Sequence, residues 1–228
     1  MQKLFLNVKT YLFAIILLAT SFPAMSTHYM GGDLTYEFLG IFGGQYRYEF
    51  QLDVYINKLP PSNFGNGNVD NLNLCVFDRA TDQPVVTQVM TNPFRVDAFP
   101  VLPPGCNPVG LSQNLDARLN RFTTIVDLPG PFSQYYAVHE RCCRDNNINN
   151  LANPGNTGNS FFADMPQNFV ENSSPQFTDI AIPFLCTGDT TTISNNAFDP
   201  DGDFLVYSFT PIRDQFYFAI EPACNTPY

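Results

Sequence analysis

Residues 45–56 read QYRYEFQLDVYI, and their alternation decides the fold class. Tyr46, Tyr48, Phe50, Leu52, Val54 and Ile56 fall on one face, while Arg47, Glu49, Gln51, Asp53 and Tyr55 fall on the other. Successive side chains of an extended chain point to opposite sides, so this is the pattern of a strand with one face in a core and one in water. Upstream, residues 33–39 (DLTYEFL) make a second strand candidate. Gly43 and Gly44 lie between the two and supply the positive φ that a tight hairpin needs.

Outward from this hairpin, further strand candidates occur at 72–77, 85–90, 122–128, 134–140, 160–163, 178–182, 190–194, 204–210 and 216–220, most of them rich in β-branched or aromatic residues. Turn punctuation separates them: Pro60-Pro61, Asn66-Gly67-Asn68, Pro103-Pro104-Gly105, Pro129-Gly130-Pro131 and Asn153-Pro154-Gly155-Asn156. No stretch of about a dozen residues keeps helical apolar spacing without a Pro or Gly. The chain is therefore expected to be all-β, a β-sandwich of the immunoglobulin-like kind. The absence of Trp removes one hallmark of antibody domains. A polar stretch, Glu171-Asn172-Ser173-Ser174-Pro175, marks a boundary between a sandwich domain at 27–171 and a second unit at 172–228. That second unit has room for four or five strands, so it is expected to be a partial, truncated β domain.

The first 26 residues read as an address. Lys3 and Lys9 precede the apolar run Tyr11–Ala19, and Ala24 and Ser26 are small residues of the kind signal peptidase accepts, so cleavage is expected near Ser26. Thr20, Ser21 and Pro23 interrupt the run too early for a membrane anchor, and no later segment is long and apolar enough to span a bilayer. Removing the leader takes two of the 11 basic residues and leaves nine against 21 acidic ones. Such a surface excludes nucleic acid as a partner and suits a secreted or cell-surface protein.

The six cysteines agree with export. Cys75, Cys106, Cys142, Cys143, Cys186 and Cys224 all lie in the mature part, and an even count in an exported chain reads as disulfides. Adjacent Cys142 and Cys143 would point to opposite faces of a strand and are expected to have different partners. Cys75 and Cys106 are the candidates within the first domain, with Cys186 and Cys224 pairing later.

The sharpest local motif is Asp199-Pro200-Asp201-Gly202-Asp203. A turn that sends alternate side chains inward could present Asp199, Asp201 and Asp203 to one calcium ion, a hard cation that needs six to eight oxygens. The block is not an EF-hand, because its glycine comes too early and Thr210 stands where the closing Glu belongs. The competing reading is a polar turn without metal. His139-Glu140-Arg141-Cys142-Cys143-Arg144 groups zinc-like residues, but His28 is the only other histidine and disulfides are the better reading in an exported chain. Nucleophile-elbow, zinc-protease and phosphate-loop motifs are all missing, which argues against an enzyme. Tyr135-Tyr136 would direct one ring to each face of its strand, which keeps a secreted carbohydrate-binding module as the alternative. A hydrolase built on distant carboxylates ranks last. Asn172-Ser173-Ser174 fits the N-glycosylation pattern.

Four stretches together resemble a known family: residues 28–37 (HYMGGDLTYE), the strand from Tyr46 to Tyr55, residues 140–151 with Cys142-Cys143-Arg144, and residues 172–208 running through Cys186 to the aspartate block. The chain resembles the N-terminal repeats of large gliding motility-associated or PKD-type domain-containing bacterial surface proteins. The resemblance covers nearly the whole mature chain, and its specificity rests on the Cys-Cys-Arg block combined with the Asp-Pro-Asp-Gly-Asp block. It implies immunoglobulin-like or cadherin-like β-sandwich repeats at the cell surface or released by a dedicated route. It also implies adhesion or scaffold roles, an extracellular protein or glycan as partner, and no catalytic residues. In cadherin-like repeats such aspartates bind calcium between neighbouring domains, which carries over to Asp199, Asp201 and Asp203 alone. The chain departs from the pattern in having Phe38 where a Cys is frequent, and in lacking the many further repeats of full-length relatives.

Overall fold

A computed structural model describes residues 29–58, 68–98, 117–130, 134–141, 144, 148, 150–165, 171–178, 190, 192 and 195–211. Within them the strands are β1 (Tyr29–Phe42), β2 (Gln45–Asn57), β3 (Asn71–Asp78), β4 (Gln83–Thr91), β5 (Phe94–Ala98), β6 (Ala117–Pro129), β7 (Tyr135–Arg141), β8 (Asn159–Met165), β9 (Gln176–Phe177) and β10 (Ala197–Phe198). The one helical piece among the described residues is a 3-10 turn at Pro154–Asn156. No helix there is long and apolar enough to cross a membrane.

The β1–β2 hairpin forms as its sequence dictates, with Gly43 at φ 60° and Gly44 at φ 82° in the turn. It runs longer than its alternation implied, because β1 starts at Tyr29 and tolerates two register shifts, one near Gly31 and one near Gly40. All named pairings are antiparallel. They assemble into one sheet of order β1-β2-β6-β5, a second of order β4-β3-β7-β8, and a separate two-stranded β9–β10 ladder. The first order is that of the immunoglobulin ABED sheet, and the second is the CFG sheet extended by one strand at the C side.

The even-numbered face of β2 lies in the core as read from the sequence: Tyr48, Phe50, Leu52, Val54 and Ile56 are buried. Leu34 and Tyr36 of β1 and Phe122, Val126 and Leu128 of β6 share that face. Opposite them pack Leu72, Leu74 and Val76 of β3, Tyr135 and Ala137 of β7, and Phe161, Ala163 and Met165 of β8. Each fully buried side chain of this size stabilises the fold by about 1.5–3 kcal/mol relative to exposure. The outer face of the first sheet is held differently, by ion pairs that sit on rungs: Arg47 faces Asp127 and Arg121 faces Asp53, while Arg118 faces Asp97 at the end of the core-side face.

Tyr135, at the start of β7, donates from its hydroxyl to the carbonyl of Pro129, 2.7 Å away in the preceding connection. This is the tyrosine corner of immunoglobulin-type sandwiches. Two residues further on, where antibody domains carry their second cysteine, stands the buried Ala137. Cys75, the one cysteine among the described residues, is disulfide-bonded and points away from that core, into a second cluster with Phe77, Tyr136 and Val138. The other five cysteines and residues 1–26 lie outside the described residues.

Two strand expectations are corrected. β5 was missed, because Phe94–Ala98 is a short edge strand with two charges and no apolar run to announce it. Residues 204–210, rich in aromatic and β-branched side chains as a strand should be, pair with nothing in a ladder among the described residues and are largely exposed. The candidates at 178–182, 190–194 and 216–220 lie wholly or mostly outside the described residues.

Candidate functional site

β1 is an edge strand, so its outer backbone groups need partners from beyond the sheet. The stretch expected to be a plain boundary supplies them. Ser174 N–H donates to the Tyr36 carbonyl (2.8 Å). Its Oγ accepts the Tyr36 N–H (2.8 Å). One residue earlier, Ser173 Oγ accepts the Phe38 N–H at 3.1 Å. Ser173 and Ser174 are accordingly buried, and their hydroxyls complete the β1 edge much as a short extra strand would. Asn172 folds its side-chain amide onto the Ser173 carbonyl. The hydroxyl of the Asn172-Ser173-Ser174 glycosylation pattern is thus committed inside the fold.

The aspartate block closes on this stitch. Asp199 Oδ1 accepts the backbone N–H of Asp201 (2.9 Å) and of Asp203 (3.2 Å). Gly202 allows the turn by adopting φ 85°, with its N–H donated to the Asp199 carbonyl. Asp201 then reaches 28 residues back, where its Oδ2 accepts the Ser173 N–H at 2.5 Å. A charge-assisted bond of this kind is roughly twice as strong as a neutral one. Asp203 contributes its amide to the turn. The block therefore organises a turn and fastens that turn to the linker. The β9–β10 ladder lies beside it, with Tyr207 Oη accepting the Ala197 N–H.

The carboxylates remain hard oxygen donors of the type calcium prefers, but two of their oxygens already carry backbone amides. Among the described residues no three His, Cys, Asp or Glu side chains gather into a group that could hold a metal ion. The stitch was not visible in the sequence reading, which took two serines beside a proline as a connector. The signal present was the pair of small hydroxyl side chains, able to replace ladder bonds without bulk.

A second polar group lies on the inner face at the far end of the second sheet. His139 is fully buried, with its Nδ1–H donated to the Asn73 carbonyl at 2.8 Å and its ring stacked on Phe161. Its Nε2 has no hydrogen-bond partner among the described residues. Burial pushes its pKa down to about 4, and the nearby Arg141 guanidinium acts in the same direction. This is a neutral core histidine, packed beside Tyr29 and Arg141. On the outer face of the first sheet, Asp33 stands directly across from Asp53. Burial pushes the Asp33 carboxyl up to about 6, and the Asp53 charge adds to the shift. Asp53 is clamped by Arg121 through two bonds of 2.8 and 2.7 Å.

The sugar platform expected from Tyr135-Tyr136 is not there. Tyr135 faces the core, and Tyr136 is stacked between Phe77 and Phe162 with Arg79 above it. A strand normally exposes one of two adjacent rings, but both faces of this sheet are apolar. Comparison with protein-family models, with curated proteins and with solved structures finds no match.

Proposed function

We propose that this chain is an exported, non-enzymatic cell-surface protein, an adhesin or motility-associated scaffold, whose sandwich carries a second module in a fixed attitude. The observation that carries the reading is the Ser173–Ser174 stitch onto β1, tied in turn to Asp201. A loose linker would leave its polar backbone in water, whereas this one is bonded to β1 through Ser173 and Ser174 and to the aspartate turn through the Ser173 N–H, as a stiff joint between surface modules requires. The leader sequence and the disulfide-bonded Cys75 support an oxidising, extracytoplasmic location. The partners in this reading are extracellular proteins or glycans. Calcium taken up by Asp199, Asp201 and Asp203 would act on the same joint, because Asp201 belongs to both the acidic block and the stitch.

The test is a thermal melt of the oxidised mature chain from Thr27, with calcium and with chelator, beside an Asp201→Ala variant. For a chain of this size about 1 kcal/mol moves Tm by about 2–4 °C. Loss of the Asp201 bond should lower Tm by that amount. A calcium-dependent rise in the parent that is absent from Asp201→Ala supports ion uptake at the joint. An Asp201→Ala variant that melts like the parent, with or without calcium, removes the joint and the proposal with it.

A further inference from the structure

Asp201-Gly202 is the only Asp-Gly step in the sequence. Both residues are exposed. A Cβ added at Gly202 would meet nothing within 4 Å, and the residue sits at φ 85°. In a step of this kind the main-chain nitrogen of the glycine can attack the side-chain carboxyl of the aspartate, because glycine puts no side chain in the path and lets the backbone approach closely.

In the folded chain both reacting groups are committed elsewhere. The Gly202 N–H is donated to the Asp199 carbonyl at 3.2 Å, which engages the nitrogen within the turn. The Asp201 carboxylate is turned toward the linker, with Oδ2 accepting the Ser173 N–H at 2.5 Å. A third bond, from the Asp201 N–H to Asp199 Oδ1, fixes the backbone of Asp201 itself. The carboxyl that fastens the joint is therefore the one that can cyclise once the fastening opens.

We propose that Asp201 is a modification site gated by the joint: when the Ser173 bond opens, the carboxyl closes onto Gly202 and Asp201 becomes isoaspartate, which leaves the joint released for good. In the first step the Gly202 nitrogen bonds to Cγ of the protonated Asp201 carboxyl and gives up its hydrogen, and the carboxyl hydroxyl leaves with that hydrogen as water. In the second step water adds to the main-chain carbonyl carbon of the resulting succinimide ring, and the bond from that carbon to the Gly202 nitrogen breaks. One water leaves and one enters, so the mass is unchanged and neither oxidant nor reductant is needed. The main chain now runs through Cγ and is one carbon longer, while the carboxylate sits directly on Cα. Its reach toward Ser173 is shortened and the turn at Gly202 is displaced. The inference rests on the reading of Ser173 and Asp201 as a joint, and adds to that joint an irreversible release.

The experiment ages the oxidised mature chain at neutral pH and constant temperature, and follows isoaspartate at Asp201 by peptide mapping. Four samples are compared: the folded parent, the parent held unfolded in guanidinium chloride, Ser173→Pro and Ser173→Ala. Ser173→Pro removes the N–H that holds Asp201, whereas Ser173→Ala removes only the hydroxyl and keeps that N–H. A thermal melt verifies that each variant folds; should Ser173→Pro not fold, the folded and unfolded parent decide alone. Reaction follows local opening, so its rate tracks the open population. The unfolded chain should convert at least about tenfold faster than the folded parent. Ser173→Pro should convert faster than Ser173→Ala, and the isoaspartyl form purified from aged protein should melt below the parent. A folded parent that converts as fast as the unfolded chain overturns the inference. So does an unfolded chain that forms no isoaspartate, a folded Ser173→Pro that ages no faster than Ser173→Ala, or an isoaspartyl form that melts like the parent while Asp201→Ala melts lower. Failure of the joint itself reads differently, as an Asp201→Ala variant that melts like the parent.

Discussion

The sandwich of residues 29–165 and the segment of residues 195–211 are written in the same alphabet and fold to different degrees. Residues 48–56 alternate apolar with mostly polar side chains, and Tyr48, Phe50, Leu52, Val54 and Ile56 are buried against the opposite sheet. Residues 204–209 (FLVYSF) are at least as apolar, yet Phe204 is 93% exposed and Phe209 fully so. The difference is the presence of a facing surface. Alternation gives a strand one apolar side, but only a second sheet across about 10 Å turns that side into a core. Beside residues 204–209 the two-residue β9–β10 ladder provides no such sheet among the described residues.

The contrast can be broken most forcefully at Phe50. Phe50→Ala empties a fully buried site and should cost about 3–5 kcal/mol in chemical denaturation. Gly32→Ala should cost about 1–3 kcal/mol, because a Cβ there runs into the Asp53 carbonyl and the Phe161 ring.

The pH dependence of the sandwich probes His139 next. Its folded pKa of about 4 lies below the ordinary value of 6.5, so between those limits the unfolded chain binds the extra proton. Its neutral burial thus favours the fold above about pH 6.5, and that contribution is lost as the pH falls toward 4. Asp33 acts oppositely: its carboxyl is raised to about 6, so the folded state holds the proton more tightly and acidification through that range is favourable at this site. Subtracting the stability–pH curve of His139→Phe from that of the parent isolates the histidine. The difference should approach about 3 kcal/mol between pH 7 and pH 4, and a flat difference would refute the buried neutral assignment.

Smaller effects sharpen the comparison. Tyr135→Phe removes the hydroxyl that ties β7 to Pro129 and should cost about 1 kcal/mol. Phe204→Ala, in the exposed strip, should change stability by less than about 0.5 kcal/mol. A loss at Phe204 comparable with that at Phe50 would mean that the strip is covered in solution.

Much of the sandwich was legible in the sequence. The Gly43-Gly44 hairpin and the β2 face follow from local rules, as do the positions of β3, β4, β6, β7 and β8, because each strand carries its own period and its own turn residues. The limits of β3, β4, β6 and β8 run beyond their side-chain patterns, because polar ends such as Asn71, Asp78 and Asn159 extend a ladder through backbone bonds that no such pattern reports. β5 stayed hidden because it is a five-residue edge strand with two charges and no apolar run.

The candidate site was legible as ingredients only. The aspartate block and the Asn-Ser-Ser stretch were both visible in the chain, 25 positions apart from Ser174 to Asp199. Nothing local announces that Asp201 accepts a bond from Ser173, or that Ser173 and Ser174 close the edge of β1.

By itself the sequence determined the β class, the hairpin at its head and the face each core strand turns inward. These depend on the backbone period and on glycine's access to positive φ, properties of a few adjacent residues. The tertiary structure alone decided which edges are closed, why both rings of Tyr135-Tyr136 are buried, and that the aspartates serve as a fastening. Those outcomes depend on which backbone groups are left without partners once the two sheets have packed, a quantity that exists only when distant segments have met.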